Sequence, residues 1–249
     1  MANTSVPVSR ASTGEFRIGR VFDRTISIYS RNFLAFTLIP LVAYLPTLLL
    51  PAGAGGFAGE GGSVLLVLLA VILIVALSFL SQATLVYAAF QDMRGRPINI
   101  GESVNVALTR LVPIIGLALL AGLCTMVGLM LLIVPGLILF TMWFVAMPAC
   151  IVERAGPWDS LVRSAQLTKG HRWQIFGLFI LIYLTSIIVS AVLGGVLGAV
   201  GGSVLVTIAT LIWNGIWGAF FAIMVVVAYY ELRSAKEGID IEQIASVFD

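Results

Sequence analysis

Charge is scarce in this sequence. Asp, Glu, Lys and Arg make up 10% of its 249 residues, hydrophobic residues make up 60%, and the mean hydropathy is +1.08. That is too apolar for a water-soluble domain of ordinary composition. Histidine occurs once, as His171, and no paired carboxylates lie within the apolar runs. Those two shortages remove most general acid–base arrangements and point to a protein that is not an enzyme. Cysteine occurs twice, as Cys124 and Cys150, both inside apolar runs and without paired spacing. This argues against a disulfide framework or a metal cluster. The first 32 residues are polar and basic with no hydrophobic core segment. A cleavable signal peptide is therefore not expected, and the first span should act as its own insertion signal. Nothing in this composition asks for a cofactor or a nucleic-acid partner.

The charge that is present has a pattern. All fourteen Lys and Arg residues fall in four polar stretches. Arg10, Arg17, Arg20, Arg24 and Arg31 lie in the head, and Arg94, Arg96 and Arg110 in the second stretch. Arg154, Arg163, Lys169 and Arg172 form the third, and Arg233 and Lys236 the tail. The other connections, residues 52–63, 134–136 and 193–202, carry one acid (Glu60) and no base. Lys and Arg resist translocation and accumulate on the cytoplasmic side of a membrane.

A bilayer core of about 30 Å takes about 20 apolar residues per helix. The apolar runs then give spans at 33–51, 64–90, 111–133, 137–152, 173–193 and 204–230. The run 111–152 is too long for one helix, since it would extend to roughly 60 Å. Val134-Pro135-Gly136 supplies a break there. With six spans every base lands on one side; with five, the groups near Arg163 and in the tail would change sides. The reading is an all-α polytopic protein with six transmembrane helices in three hairpins and cytoplasmic amphipathic helices. Its organisation is a head (1–32), a membrane domain (33–230) and an acidic tail (231–249). The expected location is a bacterial inner membrane, with both termini cytoplasmic. A re-entrant pair at 111–152 would give the same sidedness.

The basic stretches have helical periodicity. Ile18, Phe22, Ile26, Tyr29 and Phe33 share one face of a wheel, with Arg17, Arg20, Arg24 and Arg31 opposite. Two compatible readings follow: a helix lying in the membrane interface, or one docked on the ends of the bundle. Segments 102–110 and 157–169 repeat the pattern before later hairpins, with Pro157 suited to a first turn and Gly170 to a C-terminal cap. The result is a weak threefold repeat of amphipathic helix plus hairpin. Beyond Lys236 the tail is acidic with an apolar stripe, and is expected to pack against the basic segments.

Within the bilayer no Asp, Glu, Lys or Arg remains, which argues against a proton-coupled pump or a charged filter. Small residues recur every four positions at Thr210, Asn214, Gly218 and Ala222, and at Ser186, Ser190, Gly194 and Gly198. Such seams pack helices closely. Asn214, Trp213 and Trp217 are the candidate intramembrane polar contacts. The two Trp residues lie mid-span, where they either line a lipid-accessible groove or fill space beside Gly215 and Gly218.

The segment LIVPGLILFTMWFVAMPACIVERAGPWDSLVRSAQLTKGHRWQIFGLF, from Leu132, carries the clearest signature. Together with the head FRIGRVFDRTISIYSRNFLAF and the Arg94-Gly95-Arg96-Pro97 loop, it resembles the membrane domain of some glycerophosphoryl diester phosphodiesterases and its stand-alone bacterial relatives. The catalytic barrel of those phosphodiesterases has no counterpart here. The resemblance implies a six-span helical membrane protein, and no activity. Arg17, Arg20, Arg24, Glu153, Arg163, Ser164 and Lys169 are the candidate contacts to lipid head groups or a partner. The expected role is to organise lipids of an anionic leaflet, a membrane-protein partner or further copies of the chain through the cytoplasmic face. The alternative is a transporter-like protein moving a lipid or hydrophobic small molecule.

Overall fold

The apolar runs fold as helices, and the short polar stretches between them fold as helices too. The computed structural model describes residues 16–45, 64–200 and 202–237. Its elements are α1 (Ile18–Arg31), α2 (Phe33–Tyr44), α3 (Val64–Met93), α4 (Ile100–Thr109), α5 (Leu111–Leu131), α6 (Ile133–Met142), α7 (Ala146–Val152), α8 (Pro157–Thr168), α9 (Arg172–Val200) and α10 (Gly202–Glu237). Five stretches are long and apolar enough to cross a membrane: Leu68–Met93, Leu111–Leu131, Ile133–Val152, Arg172–Ala199 and Val204–Glu237. The first expected span begins as α2; its remainder, the 52–63 connection and the tail from residue 238 lie outside the described residues. The protein is an all-α polytopic membrane protein.

The helices pair as three hairpins, α2 with α3, α5 with α6–α7, and α9 with α10. Each hairpin follows one amphipathic helix: α1, α4 or α8. α1 meets α2 at a corner of 86°, so it lies across the end of the bundle and does not continue the span. Helix α10 is central, touching α1, α2, α3, α7, α8 and α9. Gly215 and Gly218 of α10 face α2 and α3, where a Cβ would meet the Leu41 backbone and Gln82 at 3.7 Å, ordinary packing distance.

Burial is lopsided. The core comes from one half of the bundle, where Ala83–Phe90, Phe144–Val152 and Ala219–Leu232 converge with α8. In the other half Leu68, Leu119, Ile188 and Val204 are exposed, and those apolar surfaces suit contact with lipid tails. The charged residues cluster at the packed end.

Several boundaries differ from the sequence reading. The hairpin break falls at Leu132, whose backbone is extended, while Pro135 and Gly136 lie in the first turn of α6. A Pro there forfeits no helical hydrogen bond, because first-turn N–H groups have no partner within the helix. Gly136 serves packing instead: a Cβ would intrude on the Leu129 side chain and lie 2.8 Å from its nitrogen. The fourth span starts at Ile133 and is broken at residues 143–145. The expected 193–202 connection is mostly helix, since α9 reaches Val200. Helix α10 runs unbroken to Glu237, past the expected head of the tail at 231. The glycine half of the α9 seam makes no close contact, since added Cβ atoms at Gly194 and Gly198 meet nothing within 4 Å.

Candidate functional site

The break in the fourth span organises the packed end. Between α6 and α7 the helical ladder stops, which would leave Met142 C=O and Val145 N–H without partners in a buried setting. Helix α8 supplies both. The Ser164 hydroxyl donates to Met142 O at 2.7 Å and accepts from Val145 N at 3.3 Å. Thr168 Oγ1 also reaches Met142 O at 3.2 Å. Ser164 is fully buried. Its expected role at a head group is therefore corrected: the hydroxyl is consumed in closing the broken span. Helix α8 then ends at a left-handed Gly170 (φ +92°), the expected cap.

Next to this bracket sits a neutral ring of two acids and two bases. Arg163 Nε donates to both Glu153 oxygens at 2.9 and 3.1 Å, and its other arm pairs with Glu237. Arg233 donates to Glu237 at 2.8 Å and lies 3.7 Å from Glu153. The Tyr229 hydroxyl donates to Glu153 at 2.6 Å and accepts from Arg233 at 3.2 Å. Burial alone would lower the Arg163 pKa; the two carboxylates outweigh it and hold the guanidinium above its usual value. Glu153 and Arg163, both candidate contacts in the sequence, are here brought together with each other. Tyr229, Arg233 and Glu237, one helical turn apart on α10, were the missing members.

The head is docked by a second cluster. Arg24 donates to Glu231 at 2.8 Å and Arg20 lies 3.3 Å from it, with Glu231 only 5% exposed. On the apolar side Val21, Thr25 and Ile28 are buried, and Phe22 and Tyr29 pack on Phe220 of α10. Ile26 (54% exposed) and Phe33 (45%) remain outward. The docked reading of α1 thus holds for most of its apolar face, and the interfacial reading is left to the outer flank. At its C-terminal corner, Arg31 and Asn32 both donate to Asp92 of α3, at 2.8 and 2.9 Å. Helix α4 is held likewise: Tyr87 and Gln91 donate to Glu102 at 2.8 and 2.9 Å, and Asn99 caps the helix through Glu102 N at 3.0 Å.

Lys169 is exposed just past the end of α8, and Phe16, the neighbour of Arg17 in the head, packs edge-on against His171 two residues beyond it, at 5.8 Å. Trp213 and Trp217 stack at 5.2 Å, with Trp213 Nε1 donating to Ser190 of α9 at 3.1 Å. They tie α10 to α9. Asn214 is exposed on the outside of α10.

What the sequence reading overlooked is an apolar groove of about 500 Å³ between α3, α5, α6–α7 and α10. Its walls include Met126, Leu129, Phe140 and Phe221, with Gln82 and Thr125 as polar members. Gln82 was legible as an amide inside the second span. Among the described residues no group of three or more His, Cys, Asp or Glu is arranged to hold a metal ion. No family model, curated protein or solved structure matches the chain.

Proposed function

We propose that this is a non-enzymatic integral protein of a bacterial inner membrane, both termini cytoplasmic, that organises lipids or partner membrane proteins through its charged face. One observation carries the reading. Arg20, Arg24, Arg163 and Arg233 of that face are spent on Glu231, Glu153 and Glu237 in internal pairs that join its helices, while Trp158 (66% exposed) and Trp173 (86%) point outward from it. Exposed Trp beside bases suits the membrane interface. The resemblance to the phosphodiesterase membrane domain fits the same reading, because its signature residues Pro135, Gly136, Glu153, Arg163 and Gly170 all serve the hairpin, the ring or the cap. Native-membrane extraction followed by mass spectrometry of lipids and proteins tests it. A lipid or partner enriched over the bulk membrane, and reduced by Trp158→Ala with Trp173→Ala, is expected. A composition equal to bulk membrane with no partner would refute it.

The groove beside Gln82 favours a second reading, a carrier of a lipid or hydrophobic small molecule. In reconstituted vesicles that reading requires lipid movement that Gln82→Leu slows. Inert vesicles across a lipid panel would sink it.

A further inference from the structure

Charge matching fails where α8 meets α9 at the packed end. Lys169 ends α8, His171 and Arg172 open α9, and Lys236 lies near the end of α10. Among the described residues no ion pair joins Lys169, Arg172 or Lys236 to an acid, although Arg163 and Arg233 are fully matched. Lys236 Nζ donates to the Gln166 carbonyl, not to a carboxylate. Lys169 and Arg172 both act on Lys236 as like charges, and Lys236 acts so on His171. Arg172 Nε is buried without a hydrogen-bond partner. Clustered cations with an unmet donor have the chemistry of an anion site.

The same Arg172 lines a groove. A cavity of about 470 Å³ lies between α6 and the first turn of α9, walled by Val134, Leu137, Ile138, Thr141, Phe176 and Trp173. It is apolar apart from Arg172 and the Thr141 hydroxyl, and that hydroxyl is already committed to Ile138 O at 2.9 Å. A small soluble anion would use the cations and leave these walls empty. An amphiphile with an anionic head uses both, and the mostly exposed Trp173 belongs at a head-group boundary.

We propose that this groove seats an anionic phospholipid of the surrounding bilayer, its phosphate on Arg172 and Lys169 and an acyl chain along Leu137, Ile138 and Phe176. The inference rests on the lipid branch of the proposed function and gives it a site. The test is native mass spectrometry of the full chain released from phosphatidylcholine nanodiscs containing phosphatidylglycerol. Wild type should retain phosphatidylglycerol in preference to phosphatidylcholine. Lys169→Gln with Arg172→Gln should weaken that retention roughly thirtyfold, the effect of two surface cations. Leu137→Trp should also lower it while leaving the cations in place, and Arg31→Gln, whose cation pairs with Asp92, should not. Melting curves check that each variant is folded. Equal retention by the Lys169/Arg172 variant overturns the site but not the broader reading, whereas no preference in wild type removes the site together with the anionic-lipid branch of that reading. Displacement by inorganic phosphate at millimolar concentration would mark a soluble-anion site and overturn the proposal.

Discussion

Replacing Ser164 by Ala isolates what α8 does for the broken span. In the native protein Ser164 Oγ serves Met142 O at 2.7 Å and Val145 N at 3.3 Å. Thr168 Oγ1 shares its one proton between Ser164 O at 2.9 Å and Met142 O at 3.2 Å, so the carbonyl keeps a divided donor in the Ala variant and the Val145 N–H loses its acceptor. An orphaned buried donor costs about 1–3 kcal/mol. Ser164→Ala should therefore lose about 1–3 kcal/mol, and Thr168→Val alone less than about 1 kcal/mol, because Ser164 still covers the carbonyl. The double variant strips both groups, so its loss should exceed the sum of the two by about 1 kcal/mol or more, as expected for residues sharing one target. Reversible unfolding in mixed micelles measures the three losses, and amide exchange at Val145 reports the local opening. A Ser164→Ala loss within about 0.5 kcal/mol, the range of a neutral surface change, would refute the bracket. So would strict additivity with unchanged exchange at Val145.

Other predictions follow from the same packing. Arg20→Ala with Arg24→Ala leaves Glu231 buried and unpaired, whereas Glu231→Gln leaves two half-exposed arginines in reach of water. The arginine pair should therefore cost more stability than the glutamate change, by about 1 kcal/mol or more in the same unfolding assay; the reverse order would contradict docking through Glu231. Gly136→Ala forces a methyl into Leu129 and should cost about 1–3 kcal/mol, while Gly194→Ala meets open space and should be neutral or mildly stabilising. Similar losses at both would show that the α5–α6 contact is not what Gly136 is for. Burial, and then Lys236, lower the His171 pKa. The unfolded chain binds the proton more readily, so stability should fall as pH drops through the ordinary histidine range near 6.5. His171→Gln should flatten that part of the melting profile, and unchanged curves would exclude the linkage.

The all-α class, the pairing of the described helices and the three amphipathic helices were legible because they rest on composition and period, which act locally. The docking of α1 was half legible: the wheel placed its apolar face, and the choice between lipid and protein required α10. The break at residues 143–145 was hidden because the apolar run is continuous there, though Pro148 marks a helix restart and Ser164 with Thr168 supplies two hydroxyls one turn apart. The ring around Glu153 was least accessible. Glu153 and Tyr229 are 76 residues apart, and Arg163 and Glu237 are 74 apart, so only tertiary packing joins them. The partner of Trp213 was hidden for a related reason: Ser190, which takes its N–H, lies across the hairpin on α9.

The paired arginines also act at two different times. A cation cancelled by a neighbouring carboxylate exerts little pull on an anionic leaflet, so Arg24 and Arg163 contribute little to lipid attraction in the folded protein. During insertion Arg24 is unmatched, because Glu231 lies 207 residues beyond it and reaches it only when α10 docks. Lys and Arg orient a span through short flanking segments, and Asp and Glu contribute little. Orientation should then be set by the bases alone, and the acids should matter only to the finished fold. Glu231→Gln and Glu237→Gln together should keep the wild-type sidedness in a cysteine-accessibility assay while lowering the unfolding midpoint. Altered sidedness would mean that the acids act during insertion, and an unchanged midpoint would mean that the matched pairs are not what holds α1 and α8 to α10.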